Sequence, residues 1–363
     1  MRIKVLSRCG IESHLPENKI VEYCPGWEFD HSRDCKNYDW LVVFDEMAEE
    51  ETVHCPKERT ILCTWEPTSV KDYSKAYVRQ FGHLLTNRPF EAERHSGYRL
   101  GQGYFPPFTR RGVFNDIKFR PPEKNKLIST VCSSKNMKHT NHAKRLECIS
   151  GIKSLIPELD WYGKGIRPID NKTSALDEYK YHIAIENHIA PCHWTEKISD
   201  AIMSECLTFY AGDPDLGRIL PPESFIQIPI DDAVESARII KAAIANDEYS
   251  KRLPAIREAR RLIHEKYNFY SQIILLIESA GNVKHTDWQE WLLYPRRKIR
   301  WHSPSAFFYD LACKVRRFFK IIWFRSVLWG HLCPFCEIEE FEWLFFARNV
   351  CYNCNGFLLE TFK

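Results

Sequence analysis

The chain has 363 residues, of which 44% are hydrophobic and 27% charged; this suits about two globular domains and excludes a chiefly disordered protein. Its 51 Lys and Arg against 48 Asp and Glu leave a formal charge of +3, too balanced for a protein that coats nucleic acid over its whole surface, so any basic function must be local. Residues 1–8 lack the apolar core of a signal peptide, and no later stretch reaches the length of an uncharged membrane span. The 14 cysteines are therefore read as mostly reduced thiols, and the expected setting is cytoplasmic.

In chain order, residues 3–6, 40–44 and 60–64 are short, β-rich apolar runs between polar loops and predict buried strands. Tyr104-Phe105-Pro106-Pro107-Phe108 breaks this rhythm, and a basic, Pro-containing stretch over residues 109–126 marks a domain boundary. Beyond it, residues 127–132 predict a strand, 142–155 a helix, 181–185 a strand, 195–206 a helix, and 207–211 and 225–228 two more strands. Residues 231–245 and 251–277 have helical periodicity. Strands alternating with helices imply parallel sheets covered on both faces. The expected architecture is α/β: two Rossmann-like domains, residues 1–118 and 119–290, facing a cleft. A basic amphipathic tail over 291–330 and a zinc-ribbon-like knuckle over 331–363 would follow.

The segment from Tyr179 to Lys197 carries the most chemistry. It reads as a strand, a loop and a helix start. Thr195 suits the N-cap, because its hydroxyl can accept a first-turn N–H. Ile198, Ala201, Ile202 and Cys206 then share one helix face. The helix N-terminus favours an anion, which would explain why Lys197 stands where the helix dipole disfavours it. Glu196 could accept hydrogen bonds from ribose hydroxyls, and loops after parallel strands are where open α/β sheets bind ligands. The plainer alternative is an ordinary βαβ unit with a solvated Glu-Lys start.

Four blocks in this region occur in a recognisable order: Tyr179-Lys180-Tyr181, Ile185-Glu186-Asn187, Thr195-Glu196-Lys197 and Pro221-Pro222-Glu223-Ser224-Phe225-Ile226. Together they resemble the C-terminal signature of glycosyltransferase family 10, the α-1,3/1,4-fucosyltransferases. The resemblance implies a GT-B fold whose second domain binds GDP-fucose and whose first supports the acceptor. It further implies Lys197 against the diphosphate, Glu196 on the ribose and Asn187 in the nucleotide site. Arg145, in the first helix of the second domain, would join Lys197 at the diphosphate. His193, followed by Trp194, stands where the family usually has Tyr, so another donor sugar is a competing reading.

Inverting transfer needs a base for the acceptor hydroxyl. Glu66 follows the strand over 60–64 within Trp65-Glu66-Pro67 and resembles the family's aromatic-Thr-Gly-Glu-Asn segment, whose Glu is the proposed base. The alternative is a polar residue that solvates a turn. Asp213-Pro214-Asp215 and Gly163-Lys164-Gly165 read as turns. No catalytic metal is expected, since cationic side chains can stabilise the leaving diphosphate.

In the tail, Phe308, Leu311, Val315, Phe318, Phe319 and Ile322 fall on one side of a helix, with Lys314, Arg317 and Lys320 away from them. Such a helix suits an anionic membrane surface, or packs on the catalytic domains with its basic face in water. Cys333, Cys336, Cys351 and Cys354 form two C-x2-C pairs, a spacing suited to a structural zinc. The resulting expectation is an inverting fucosyltransferase that moves L-fucose from GDP-fucose to a lipid-linked or surface glycan, without a nucleic-acid partner. The reading from a different class is a zinc-ribbon nucleic-acid-binding protein with the basic tail as its footprint.

Overall fold

The computed structural model describes residues 1–8, 25–64, 71, 73–88, 99–100, 123–134, 141–281, 289–309, 311–312 and 315. Glu66 with its neighbours Trp65 and Pro67, the four cysteines Cys333, Cys336, Cys351 and Cys354, and the basic tail beyond residue 315 lie outside them. The chain divides into two units: Met1–Asp72 with Gln80–Leu293, and Tyr73–Arg79 with Tyr294–Lys363.

The first unit holds two parallel sheets. One comprises β1 (Arg2–Ser7), β2 (Glu28–Asp30), β3 (Trp40–Phe44), β5 (Thr60–Thr64), β6 (His83–Thr86) and β7 (Arg99–Leu100), in the spatial order β2-β1-β3-β5-β6-β7. The other comprises β8 (Lys126–Val131), β9 (Asp160–Tyr162), β10 (Tyr179–Ile185), β11 (Leu207–Ala211) and β12 (Phe225–Gln227), in the order β12-β11-β10-β8-β9. In both sheets the first strand lies between the second and the third. The strand order therefore reverses there, and such reversals are where open α/β sheets bind ligands.

β3 and β5 are buried at every position, Trp-Leu-Val-Val-Phe and Thr-Ile-Leu-Cys-Thr, as strands covered on both faces must be. The second sheet is covered by α2 (His142–Leu155), α3 (Glu196–Met203), α4 (Ala233–Ala245) and α5 (Glu248–Glu265). Ile149 and Ile152 of α2 and Ile240 of α4 share a core with Ile183 and Phe209, whereas Ile198 of α3 and Ile263 of α5 pack with Ala184 and Tyr210.

The periodicity over residues 251–277 predicts one helix, but the structure has two. Asn268 ends the pattern: its side chain donates to the His264 carbonyl (2.6 Å) and accepts from the Ser271 N–H (2.9 Å), so it caps a new helix, α6 (Phe269–Ala280). The buried face of that helix belongs to another core. Phe269, Tyr270, Ile273, Leu276 and Ile277 join Ile3, Val42, Phe44 and Ile61 in the core of the first sheet. The chain thus leaves the first sheet, builds the second and returns. β4 (Glu51–Val53) makes a similar long-range connection by pairing antiparallel with β13 (Trp291–Leu293), where Trp291 Nε1 donates to the Cys55 carbonyl at 3.0 Å.

In the second unit, α1 (Lys75–Val78) is capped by Ser74, whose hydroxyl accepts the Tyr77 N–H. Tyr294 stacks on His302 with ring centroids 3.9 Å apart. Residues 304–309 are helical, and Phe308, Leu311 and Val315 are exposed. Among the described residues no helix is long and apolar enough to cross a membrane. Cys35, Cys55, Cys63, Cys132, Cys148, Cys192 and Cys206 form no disulfide among the described residues.

Candidate functional site

The strand reversal in the second sheet lies between β8 and β10. β8 leads toward α2, and β10 leads through the loop 186–195 into α3. Five of the expected site residues, Asn187, His193, Thr195, Glu196 and Lys197, lie on that loop and the start of α3; Arg145 lies on the second turn of α2.

Arg145 is buried. Its Nη1 donates to Asn187 Oδ1 at 2.6 Å, and the guanidinium also lies against the Cys132 thiol at the end of β8. The Asn187 carbonyl accepts the Asn141 N–H at 3.0 Å, so Asn187 is fixed from both sides. The partners of Arg145 are thus neutral, its Nε is buried without a partner, and no carboxylate pairs with it among the described residues. A buried cation without a counter-charge is costly, and an anion would relieve that cost.

Lys197 has the opposite surroundings. Its Nζ lies 3.3 Å from Glu186 Oε2, 3.2 Å from Glu196 Oε1 and 3.0 Å from Thr195 Oγ1. Burial works against its charge, but Glu186 and Glu196 more than offset this and hold the amine protonated well above its ordinary range. Arg145 acts on it in the repulsive sense, so the two cations lie near enough to feel each other's charge.

Glu186 is fully buried. It accepts the Thr195 N–H and the Thr195 hydroxyl, each at 2.9 Å, and bonds the Tyr210 phenol. Burial raises its pKa, with Lys197 and the Thr195 hydrogen bond opposing. Thr195 is the N-cap of α3, as its residue type predicts, and its oxygen accepts the Lys197 N–H at 3.4 Å.

His193 is buried, and its Nδ1 pairs with Asn87 Nδ2 at 3.1 Å, a link from the end of β6 in the first sheet. His188 stands edge-on to its ring at a centroid distance of 5.3 Å. Burial, then the neighbouring His188 and Lys197, bring its pKa down to about 3, so the ring is neutral. The Gly163-Lys164-Gly165 turn lies against the loop after β8: the Ser134 N–H donates to the Lys164 carbonyl at 3.0 Å, and a Cβ on Gly163 would stand 2.4 Å from the Cys132 carbonyl oxygen. Asp213-Pro214-Asp215 also forms a turn, with the Asp215 N–H on Asp213 Oδ1 at 2.9 Å.

Sequence reasoning found the loop but missed several of its supports. Glu186 was visible only as a letter in a motif. Nothing marked Lys172, 3.8 Å from Glu196 and 3.1 Å from Asp200, or Asn87, which lies 106 residues from His193.

The Glu196 carboxyl is pulled both ways: burial raises its pKa, whereas Lys197 and Lys172 prevail and bring it down to about 2. A carboxylate with a depressed folded pKa contributes stability above its ordinary value and loses it as pH falls toward the folded one. Thermal unfolding followed from pH 4.5 down to about 2 should therefore fall more steeply for the native chain than for Glu196→Gln. Parallel curves would show that the ion pairs contribute nothing to stability.

Residues 121–249 match the family model described as glycosyltransferase family 10 (fucosyltransferase) C-term. The alpha-(1,3)-fucosyltransferase of Helicobacter pylori is 33% identical over 60 residues, a stretch covering 16% of this chain and only 13% of that protein's length. Among solved structures, an alpha1,3-fucosyltransferase is similar with a TM-score of 0.49 and 14% identity, over 79% of this chain and 92% of that one. The alpha1,3-fucosyltransferase with GDP-fucose gives 0.46 and 15%, over 79% and 93%. A glycosyltransferase from Rickettsia africae ESF-5 gives 0.45 and 10%, over 78% and 99%. The family match thus falls on the part of the chain that carries the second sheet and the loop 186–195.

Proposed function

We propose that the chain is an inverting glycosyltransferase of GT-B type that moves L-fucose from GDP-fucose to a hydroxyl of a glycan. In this reading Arg145 and Lys197 hold the diphosphate, Glu196 accepts from the ribose, and Asn187 and His193 complete the donor pocket. Thr195 orients the start of α3. The observation that carries the reading is the buried Arg145, which lacks a carboxylate partner among the described residues and sits beside the strand reversal of the family-matched sheet. As the glycosidic bond breaks, negative charge accumulates on the departing nucleoside diphosphate. Two fixed cations and the N-terminus of α3 stabilise that charge without reorganising.

The acceptor's proton requires a base. Glu66, just beyond the end of β5, is our candidate, with lipid-linked or surface polysaccharide as the acceptor class. The nucleic-acid reading has less support, because the family match falls on the domain that carries the anion-seeking groups. The donor itself is tested by a panel of GDP- and UDP-sugars read by thermal shift. A true ligand at a hundredfold excess over its Kd stabilises by about 2.7 kcal/mol. Preference for a UDP-sugar would replace GDP-fucose and keep the scaffold.

Two sets of variants probe the roles separately. Arg145→Ala and Lys197→Ala should each weaken GDP binding by about 1.5–3 kcal/mol, the usual worth of a hydrogen bond to a charged group. Unchanged affinity in both, measured by calorimetry on folded protein, removes the site assignment. Glu66→Gln should bind GDP normally yet lose ~10²–10⁴ in transfer rate, because an amide takes no proton. Normal turnover by that variant places the base elsewhere.

For the tail we propose peripheral attachment to an anionic membrane and one structural zinc on Cys333, Cys336, Cys351 and Cys354. The support is the cluster Arg296, Arg297, Lys298 and Arg300, the exposed Phe308 beside it, and the spacing of the cysteines. Truncation before Arg296 should abolish binding to phosphatidylserine vesicles and remove about one zinc per chain. A full-length chain without zinc, or one that ignores such vesicles, refutes the corresponding half.

A further inference from the structure

The contact between Asn87 and His193 is the least expected feature of the site. Both side chains are buried; Asn87 follows β6 of the first sheet, and His193 lies on the loop that follows β10 of the second. Nothing in the preceding reading gives Asn87 a task. Yet the structure holds it firmly. Thr86 Oγ1 accepts the Arg88 N–H at 3.1 Å and shares a 2.6 Å hydrogen bond with Thr64 Oγ1, tying the ends of β5 and β6 together on either side of Asn87. The Arg88 guanidinium donates to the Lys71 carbonyl. Thr64 is the last residue of β5, and the chain running on from it reaches Glu66.

A neutral imidazole has one nitrogen that donates and one that accepts, and its neighbours choose which. The charged and titratable groups acting on this ring are His188, Lys197 and Arg88, which oppose protonation, and Glu196, which favours it. The ring therefore keeps a lone pair. The Asn87 amide N–H meets Nδ1, which leaves the proton on Nε2.

We propose that Asn87 is a positioning residue: it holds His193 in the Nε2-protonated tautomer, so that the ring offers an N–H rather than a lone pair to an oxygen of the nucleotide sugar. The tautomer rests on the Asn87 amide turning its N–H toward Nδ1, and the identity of the oxygen rests on the proposed function. The clamp also makes the donor loop depend on the strand that leads to the candidate base. A hydrogen-bonding site of this kind discriminates against ligands that lack the matching acceptor, because the buried donor is then left unpaired.

The test is long-range proton–nitrogen NMR on histidine-labelled full chain, with the His193 signals assigned by their loss in His193→Gln. The native ring should show its proton on Nε2. Asn87→Asp keeps the shape of the side chain but can only accept, so it should move the proton to Nδ1 or charge the ring. In the same variant the KM for the nucleotide sugar should rise about fivefold, the loss expected for one hydrogen bond, with the acceptor KM unchanged. Asn87→Leu, checked for folding by its melting transition, should give mixed tautomers and a similar rise. A native ring protonated on Nδ1 overturns the proposal, as does a signal indifferent to Asn87→Asp. A reversed tautomer with unchanged nucleotide-sugar KM overturns the positioning role. A chain with the expected tautomer that binds no nucleotide sugar sinks the proposed function and leaves the tautomer assignment standing.

Discussion

Glu186 stands at the end of β10 with no exposure to solvent, and its carboxylate gathers the Thr195 N–H, the Thr195 hydroxyl, the Lys197 amine and the Tyr210 phenol. A carboxylate in that position is tolerable only because its acceptor capacity is met by donors and its charge by a cation. The constraint spreads outward. Thr195 can orient α3 because Glu186 fixes both its N–H and its hydroxyl. Tyr210 reaches across from the neighbouring strand, and Gly212 must be glycine, since a Cβ there would stand 2.1 Å from the Tyr210 ring and 2.7 Å from Glu186 Cγ. The start of the helix, the direction of Lys197 and the path of the chain beyond β11 all follow from one buried acid.

The two cations of the site are consequently unequal. Lys197 is shared between Glu186 and Glu196, and Glu196 is in turn approached by Lys172, which also bonds Asp200. That series alternates in sign and is locally compensated. Among the described residues Arg145 has no such company: its contacts are an amide oxygen and a thiol. An incoming anion would meet a cation already balanced and another that is not. The attraction is therefore concentrated at α2, while Lys197 is held in place by groups that need not move.

Much of this architecture could be read from the chain. β3, β5, β11 and α2 have the bounds that their apolar runs and periodicity indicate, because a strand buried on both faces reads as a nearly continuous apolar run, broken only by threonines whose hydroxyls find a partner. Short strands did not announce themselves: β2, β9 and β13 have three residues each, too few for any period to develop. The helical pattern ran through Asn268 because its neighbours are apolar in register on both sides, and the break is a capping event that periodicity does not sense. At the site, Thr195 was legible as the cap of α3 because it acts within its own turn, whereas Arg145, whose partner Asn187 lies 42 residues on, was singled out only by the family resemblance. Asn87 was not legible, since its meaning comes from a partner on the loop that follows β10 of the second sheet.

The return of α6 to the first sheet bears on the order in which the protein is made. Residues 1–86 supply five of the six strands of that sheet, but the helix supplying Phe269, Tyr270, Ile273, Leu276 and Ile277 to its core is the last helix of the unit to leave the ribosome. Until then, among the described residues, Ile3, Val42, Phe44 and Ile61 lack the helix that packs on them. At about 5–20 residues per second, the nearly 200 residues in between take of order 10–40 s to translate. The second sheet, whose helices are local to it, can close during that interval, whereas the first waits for α6, its only covering helix among the described residues. The N-terminal sheet, although synthesised first, is thus completed only when α6 arrives.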